Sequence, residues 1–185
     1  MAEFRLETDR LVLRDWREED WAPFWEGTNT PAVMQWLGGL ADDAKMADGR
    51  ARLERYQRDF GHTFWVVERK QDASILGFCG LKRCTDEEGP FGEFEAGWRL
   101  REEAWGKGYA KEAAIATLDA AFEHFGAELV VALTVKNNTG SWGLMKRLGM
   151  ARREDMDFDL PGFDPGDPHV IVYAITPDQW KASRP

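Results

Sequence analysis

Between residues 93 and 135 the spacing of apolar side chains changes period twice, and that order limits the folds open to the chain. Residues 93–100 alternate as a strand does. Ala110, Ala114, Leu118, Ala121, Phe122 and Phe125 then follow at steps of 4, 4, 3, 1 and 3, one apolar stripe of a helix that Gly126 can cap. Residues 129–135 come next and are apolar at nearly every position, as a strand buried on both faces requires. Strand, helix and buried strand in sequence make a crossover unit, so a sheet with a helix laid across it is predicted.

The flanking segments extend that sheet. Residues 10–14 read as a first strand, and residues 18–26, with Trp21, Phe24 and Trp25 on one side, as a short helix. Thr30-Pro31 opens a second helical piece that Gly38-Gly39 ends. Asp42 or Asp43 can cap a longer helix in which Leu53, Tyr56 and Phe60 recur before Gly61. Residues 64–69 and 75–81 flank a turn and predict a β-hairpin. Later come a helix over 141–148, a strand over 152–158, a loop over 159–168 rich in Pro, Gly and Asp, and a strand over 170–175. No repeat or linker divides the 185 residues, so an α+β fold in one domain, residues 1–185, is expected.

Charge and composition narrow the function. With 24 Lys+Arg against 33 Asp+Glu the net charge is −9, which repels nucleic acid and welcomes amines and basic peptides. The opening MAEFRLETDR carries acids where a signal peptide is apolar, and no run suits a membrane span, so a soluble, cytoplasmic protein is expected. Cys79 and Cys84 are too few for a disulfide framework, and Cys79 reads as packing. His62, His124 and His169 lack metal-ligand spacing, so no metal is predicted, and His169 beside Pro168 reads as the end of the late loop.

The most informative stretch is Trp105-Gly106-Lys107-Gly108-Tyr109-Ala110-Lys111, between strand and helix. Glycines let the backbone turn with positive φ, and a following helix start offers unpaired N–H groups with the positive end of its dipole, which together can cradle an anion. A Walker loop needs Ser or Thr after Gly-Lys, and a dinucleotide fingerprint needs a third Gly where Lys111 stands; neither fits. The same glycines also suit a turn that binds nothing.

This stretch resembles the coenzyme A pyrophosphate loop of the GNAT acetyltransferases, Gln/Arg-x-x-Gly-x-Gly/Ala, with Trp105, Gly108 and Ala110 at the three marked positions and Trp105 as a departure. WGKGYAKEA is similar to the form in the branch of ribosomal-protein N-terminal alanine acetyltransferases. The opening Leu6-Glu-Thr-Asp-Arg-Leu-Val-Leu-Arg14, the Asn-x-x-Ser of Asn138 to Ser141, and Leu148-Gly149-Met150 resemble that branch too. The resemblance runs from Arg5 to about Trp180.

It implies a mixed, mostly antiparallel sheet of about seven strands flanked by helices and splayed at a cofactor wedge between residues 93–100 and 129–135. Backbone near Trp98, Arg99 and Leu100 would pair with pantetheine, the amides of Gly106, Lys107, Gly108, Tyr109, Ala110 and Lys111 would take the pyrophosphate, and Asn138 would contact pantetheine. The implied reaction is acetyl transfer from acetyl-CoA directly to a primary amine, a protein N-terminus first and small-molecule amines next, by a monomer or homodimer. A thioester is already activated, so neither metal nor covalent nucleophile is needed.

A protonated amine needs a base, and Glu95, with Glu93 behind it on the same strand face, is the candidate. The leaving thiolate needs a proton. Many relatives supply it from a Tyr seven residues after the motif Asn, but Met145 stands there and Ser141 remains as candidate acid, or as an N-cap. Trp16, Trp21, Trp25 and Trp36 read mainly as core and otherwise as acceptor-pocket walls. Asp155, Asp157, Asp159, Asp164 and Asp167 read as a solvated loop that could also attract an amine. Two rivals stand beside the enzyme: an acyl-CoA-binding or sensing module with little turnover, and a nucleotide-phosphate-binding protein.

Overall fold

The computed structural model describes residues 4–85, 89–161 and 166–184. In those residues one sheet runs in the order β1-β2-β3-β4-β5-β6-β9-β7, with β8 also on β9. The strands are β1 (Arg5–Glu7), β2 (Leu11–Arg14), β3 (Phe64–Arg69), β4 (Ile75–Arg83), β5 (Phe94–Leu100), β6 (Val130–Val135), β7 (Ala151–Arg152), β8 (Phe158–Asp159) and β9 (His169–Ile175). Every pairing is antiparallel except β5 with β6, which is parallel. The helices are α1 (Trp21–Thr28), α2 (Pro31–Met34), α3 (Asp43–Phe60), α4 (Tyr109–Glu123), α5 (Thr139–Arg147) and α6 (Pro177–Ser183).

Nine described strands stand where about seven were expected. The three residues of β1 are too few to show a period. The segment read as one strand over 152–158 is broken by a 3-10 turn at Glu154–Met156, leaving two short strands that both pair with β9.

Side-chain alternation decides which helices cover which face. On β3, Trp65 and Val67 join the cluster under α4, α5 and α6, whereas Val66 faces Trp21, Phe24 and Leu53 of α1 and α3. On β6, Val130 and Ala132 face α4 and Val131 faces the cluster of Cys84, Val172 and Ala174, so this strand is buried on both sides as its composition demands. Ala113, Ala114 and Ala121 are buried on α4, and their small size lets the helix lie close to the sheet. Phe60 departs from the expected stripe of α3, being 50% exposed beyond buried Leu53 and Tyr56.

Local chemistry sets the ends as read from sequence. Asp42 caps α3 through Lys45 N–H, Gly61 ends it at φ 71°, and Thr30 caps α2 with Pro31 in its first turn. A buried ion pair fixes β2 to the entry of α1. Arg14 holds both carboxylate oxygens of Asp20 at 2.7 and 2.8 Å and also reaches Glu68, so a costly buried charge is fully engaged.

Candidate active site

The parallel pair β5–β6 is held only at its start, by Phe94 opposite Val130 and Glu95 opposite Val131. Beyond that point β5 stays paired with β4 as far as Leu100, and β6 stays paired with β9 as far as Val135. The strands therefore diverge, and the inner edge of β5 opens onto a cleft of about 1080 Å³. Its lining includes Glu95, Trp98, Arg99, Leu100, Gly106, Gly108, Tyr109, Ala110, Lys111, Asn138 and Ser141. One acceptor is already engaged, since the Trp105 indole N–H donates to the Leu100 carbonyl at 2.8 Å. Trp105, the departure from the loop motif, thus ties the turn to the end of β5.

At the open end lies the glycine turn. Gly106 and Gly108 have φ of 71° and 81°, the left-handed region that a side chain disfavours, and Gly108 has no side chain to cap α4. The first turn of a 15-residue helix thereby presents its amides and positive dipole end to the cleft. Pyrophosphate fits such a nest. Lys107 is not brought in: it lies outside the lining, and its carbonyl accepts from Arg10 at 3.0 Å.

Glu95 is the only carboxylate among the described residues that line the cleft. It is 9% exposed, and its Oε2 lies 3.2 Å from Lys82 Nζ across the β4–β5 ladder. Glu93, the fallback, precedes β5 and does not line the cleft. Across the cleft, Asn138 rather than Ser141 caps α5: Asn138 Oδ1 accepts from the Ser141 N–H at 3.3 Å, which puts Ser141 inside the first turn. The cap reading of Ser141 is corrected accordingly, because Asn binds an N–H two to three residues on as readily as Ser does. With Oδ1 in the cap, the Asn138 amide NH2 is the group that can donate to a ligand. Met145 is buried in the lining and has no proton to give.

The tryptophans divide. Trp16 and Trp21 stack at 4.0 Å outside the cleft, while Trp25 and Trp36 line it. Cys79 is buried beside Thr117 with its thiol pushed up to about 12 by burial, and Cys84 lies 3.8 Å from Glu95; neither forms a disulfide. Among the described residues no metal-ligating group gathers, and no helix is long and apolar enough to cross a membrane.

The late acidic residues serve local pairs. Asp155 binds Arg153, Asp157 binds Arg152 and His169, Asp159 binds His169, and Asp167 accepts from the His169 N–H; Asp164 lies outside the described residues. His169 opens β9 rather than ending a loop. Asp159 and then Asp157 hold its imidazole above the ordinary value of 6.5, so the charged ring adds stability that is whole below that value and is lost as pH rises through the elevated one. For Asp157 burial opposes the charge, but Arg152 and the Val172 N–H outweigh it, so its contribution is present above the ordinary carboxyl range and is lost on acidification through the depressed value. An NMR titration of the His169 ring should show a raised midpoint that Asp159→Asn returns toward 6.5; an unmoved midpoint would refute the pairing.

Sequence reasoning missed the brace behind the glycine turn. Arg10, on the approach to β2, binds the Lys107 carbonyl, pairs with Glu112 Oε2 at 2.6 Å and lies 4.5 Å over the Tyr109 ring. Glu112 also accepts from Thr8 and from the Arg10 N–H. Nothing beside Arg10 in the sequence points to Glu112, which stands 102 positions away.

Residues 10–151 match the family model described as an acetyltransferase (GNAT) domain. The chain is 31% identical over 150 residues, covering 80% of itself and 86% of the relative, to the uncharacterized protein YkkB of Bacillus subtilis. It is 29% identical over 178 residues, covering 94% and 97%, to the uncharacterized N-acetyltransferase YnaD of the same organism. The crystal structure of an acetyltransferase from Agrobacterium tumefaciens superposes with a TM-score of 0.79 at 26% identity over 95% of each chain.

Proposed function

The chain belongs to the GNAT acetyltransferases and is an acetyl-CoA-dependent acetyltransferase, and from that premise we propose that it passes acetyl directly to a primary amine. The N-terminal amine of a protein is the first acceptor class and small-molecule amines the second, with residues 1–185 acting as one domain in the cytoplasm. The observation that carries this reading is the divergence of β5 from β6 after two residue pairs, with the glycine turn at its mouth. A slender amide-bearing arm can lie along the bare edge near Trp98 and Arg99 while its diphosphate sits on the amides of Gly108 to Lys111.

Each remaining task falls to a residue of the cleft. Glu95 takes the proton of the incoming ammonium, directly or through a water, with Lys82 Nζ 3.2 Å from its Oε2. Ser141, in the first turn of α5, gives a proton to the departing sulfur, and the dipole of that helix favours negative charge there. Buried Met145 in place of a tyrosine is the one observation favouring the alternative, a CoA-binding module with little turnover.

Calorimetric titration with acetyl-CoA, CoA and ATP tests the site. Selective binding of the CoA compounds, followed by thiol release on adding peptides or small amines, is expected. Equal binding of ATP would make the turn a general phosphate nest, and no CoA binding would end the proposal.

A further inference from the structure

Arg99 is a cleft group whose chemistry the acetyl-transfer reading leaves unused. Its backbone belongs to the wedge edge, but its side chain is a guanidinium whose Nε and Nη1 are shielded from solvent without a hydrogen-bond partner. Three aromatic rings surround it, Phe78 at 5.0 Å, Phe24 at 5.6 Å and Trp25 at 5.7 Å, and they offer π-faces but no carboxylate. Burial, with the nearby charge of Arg52, lowers it to about 10, so it remains a cation at neutral pH. Arg52 lines the same cleft. In a chain of net charge −9, the cleft thus collects three guanidiniums, Arg52, Arg99 and Arg147, with Arg52 near Arg99, against a single described carboxylate, Glu95.

The strand places these opposite charges in line. Glu95, Gly97 and Arg99 point to one side of β5, and four strand rises set the outer two ~13 Å apart. Gly97 between them is covered by the Phe64 ring, which a Cβ there would meet at 2.6 Å and which lines the cleft. An apolar ring face therefore lies between a carboxylate that can take an ammonium proton and a planar fork of N–H donors. Such a fork is matched by a carboxylate, which it binds through two parallel hydrogen bonds.

We propose that the acceptor is a primary amine that also carries a carboxylate, with the amine directed to Glu95 and the carboxylate held by Arg99. This rests on the acetyltransferase reading and narrows it. Among small molecules it selects ω-amino acids over plain alkylamines, and among peptides it selects those with an acidic group several bonds behind the N-terminus.

The test titrates CoA-saturated protein with γ-aminobutyrate, ε-aminocaproate and glycylglycine, each beside its carboxamide twin. At least one carboxylate is expected to bind roughly 10- to 100-fold more tightly than its amide, the range for hydrogen bonds to a charged group. In Arg99→Met that ratio should fall to about one. Should Arg99→Met not fold, Arg99→Lys carries the test, because it keeps the charge without the fork and should lose most of the preference. Equal affinity within every pair, no binding by any probe, or a full preference surviving in the variant overturns the proposal. Failure of the wild-type protein to bind CoA, read before any amine is added, would instead overturn the acetyltransferase reading.

Discussion

Glu95→Gln is expected to lower kcat for amine acetylation by about 100-fold or more at neutral pH while the acetyl-CoA Kd stays within about twofold. The expectation follows from scarcity: no other described residue lining the cleft carries a carboxylate, and an ammonium ion cannot attack a thioester. The substitution also removes a partner of buried Lys82, and a broken buried pair can cost about 3–5 kcal/mol of stability by itself. Lys82→Met separates the two effects, since it breaks the same pair but keeps the carboxylate. If loss of turnover reflects the base, Lys82→Met retains far more activity than Glu95→Gln at equal folded fraction. Parallel losses in the two variants would make the pair a structural element, and a rate within about threefold of wild type would remove Glu95 from the mechanism.

Gly77→Ala should be among the most damaging single-methyl changes at the described glycines. Gly77 sits at φ 144°, beside the register shift between β3 and β4, and a Cβ there would lie 2.0 Å from the Arg99 carbonyl oxygen and 2.8 Å from the Leu100 Cα. Both neighbours are backbone, so no side-chain rotation relieves the overlap; β4 and β5 must separate where Gly77 pairs with Leu100. A loss of about 3 kcal/mol or more in urea unfolding is expected. Gly126→Ala is the comparison, since Gly126 has φ 65° but open space around a Cβ, leaving only the conformational cost of about 1 kcal/mol. Equal losses would show that β5 yields easily, and with it the wedge.

What the sequence disclosed depended on how local the signal was. The caps at Thr30 and Asp42, the stop at Gly61 and the double burial of β6 follow from side chains acting on their own backbone or from a composition that tolerates no solvent. The 3-10 turn dividing β7 from β8 was not legible, because it depends on Arg152 and Asp157 meeting across it. In the site, the turn from Gly106 to Lys111 could be read because φ and helix polarity are written in consecutive residues. The brace from Arg10 to Glu112 spans 102 positions, and the aromatic surroundings of Arg99 come from α1 and β4, so neither leaves a pattern along the chain. The misplaced cap of α5 shows the limit between neighbours: Asn138 and Ser141 are both capping residues, and only the backbone decides between them.

An unpaired strand edge on a protein surface is a hazard, because any other extended chain can add to it and begin an aggregate. The bare half of β5 is such an edge, but it faces inward, with α4 at its mouth and α5 across from it. A chain carrying its own amides can pair with it there without meeting a second sheet. The feature that would make this sheet sticky outside thus becomes a docking rail inside, reserved for whatever enters the cleft.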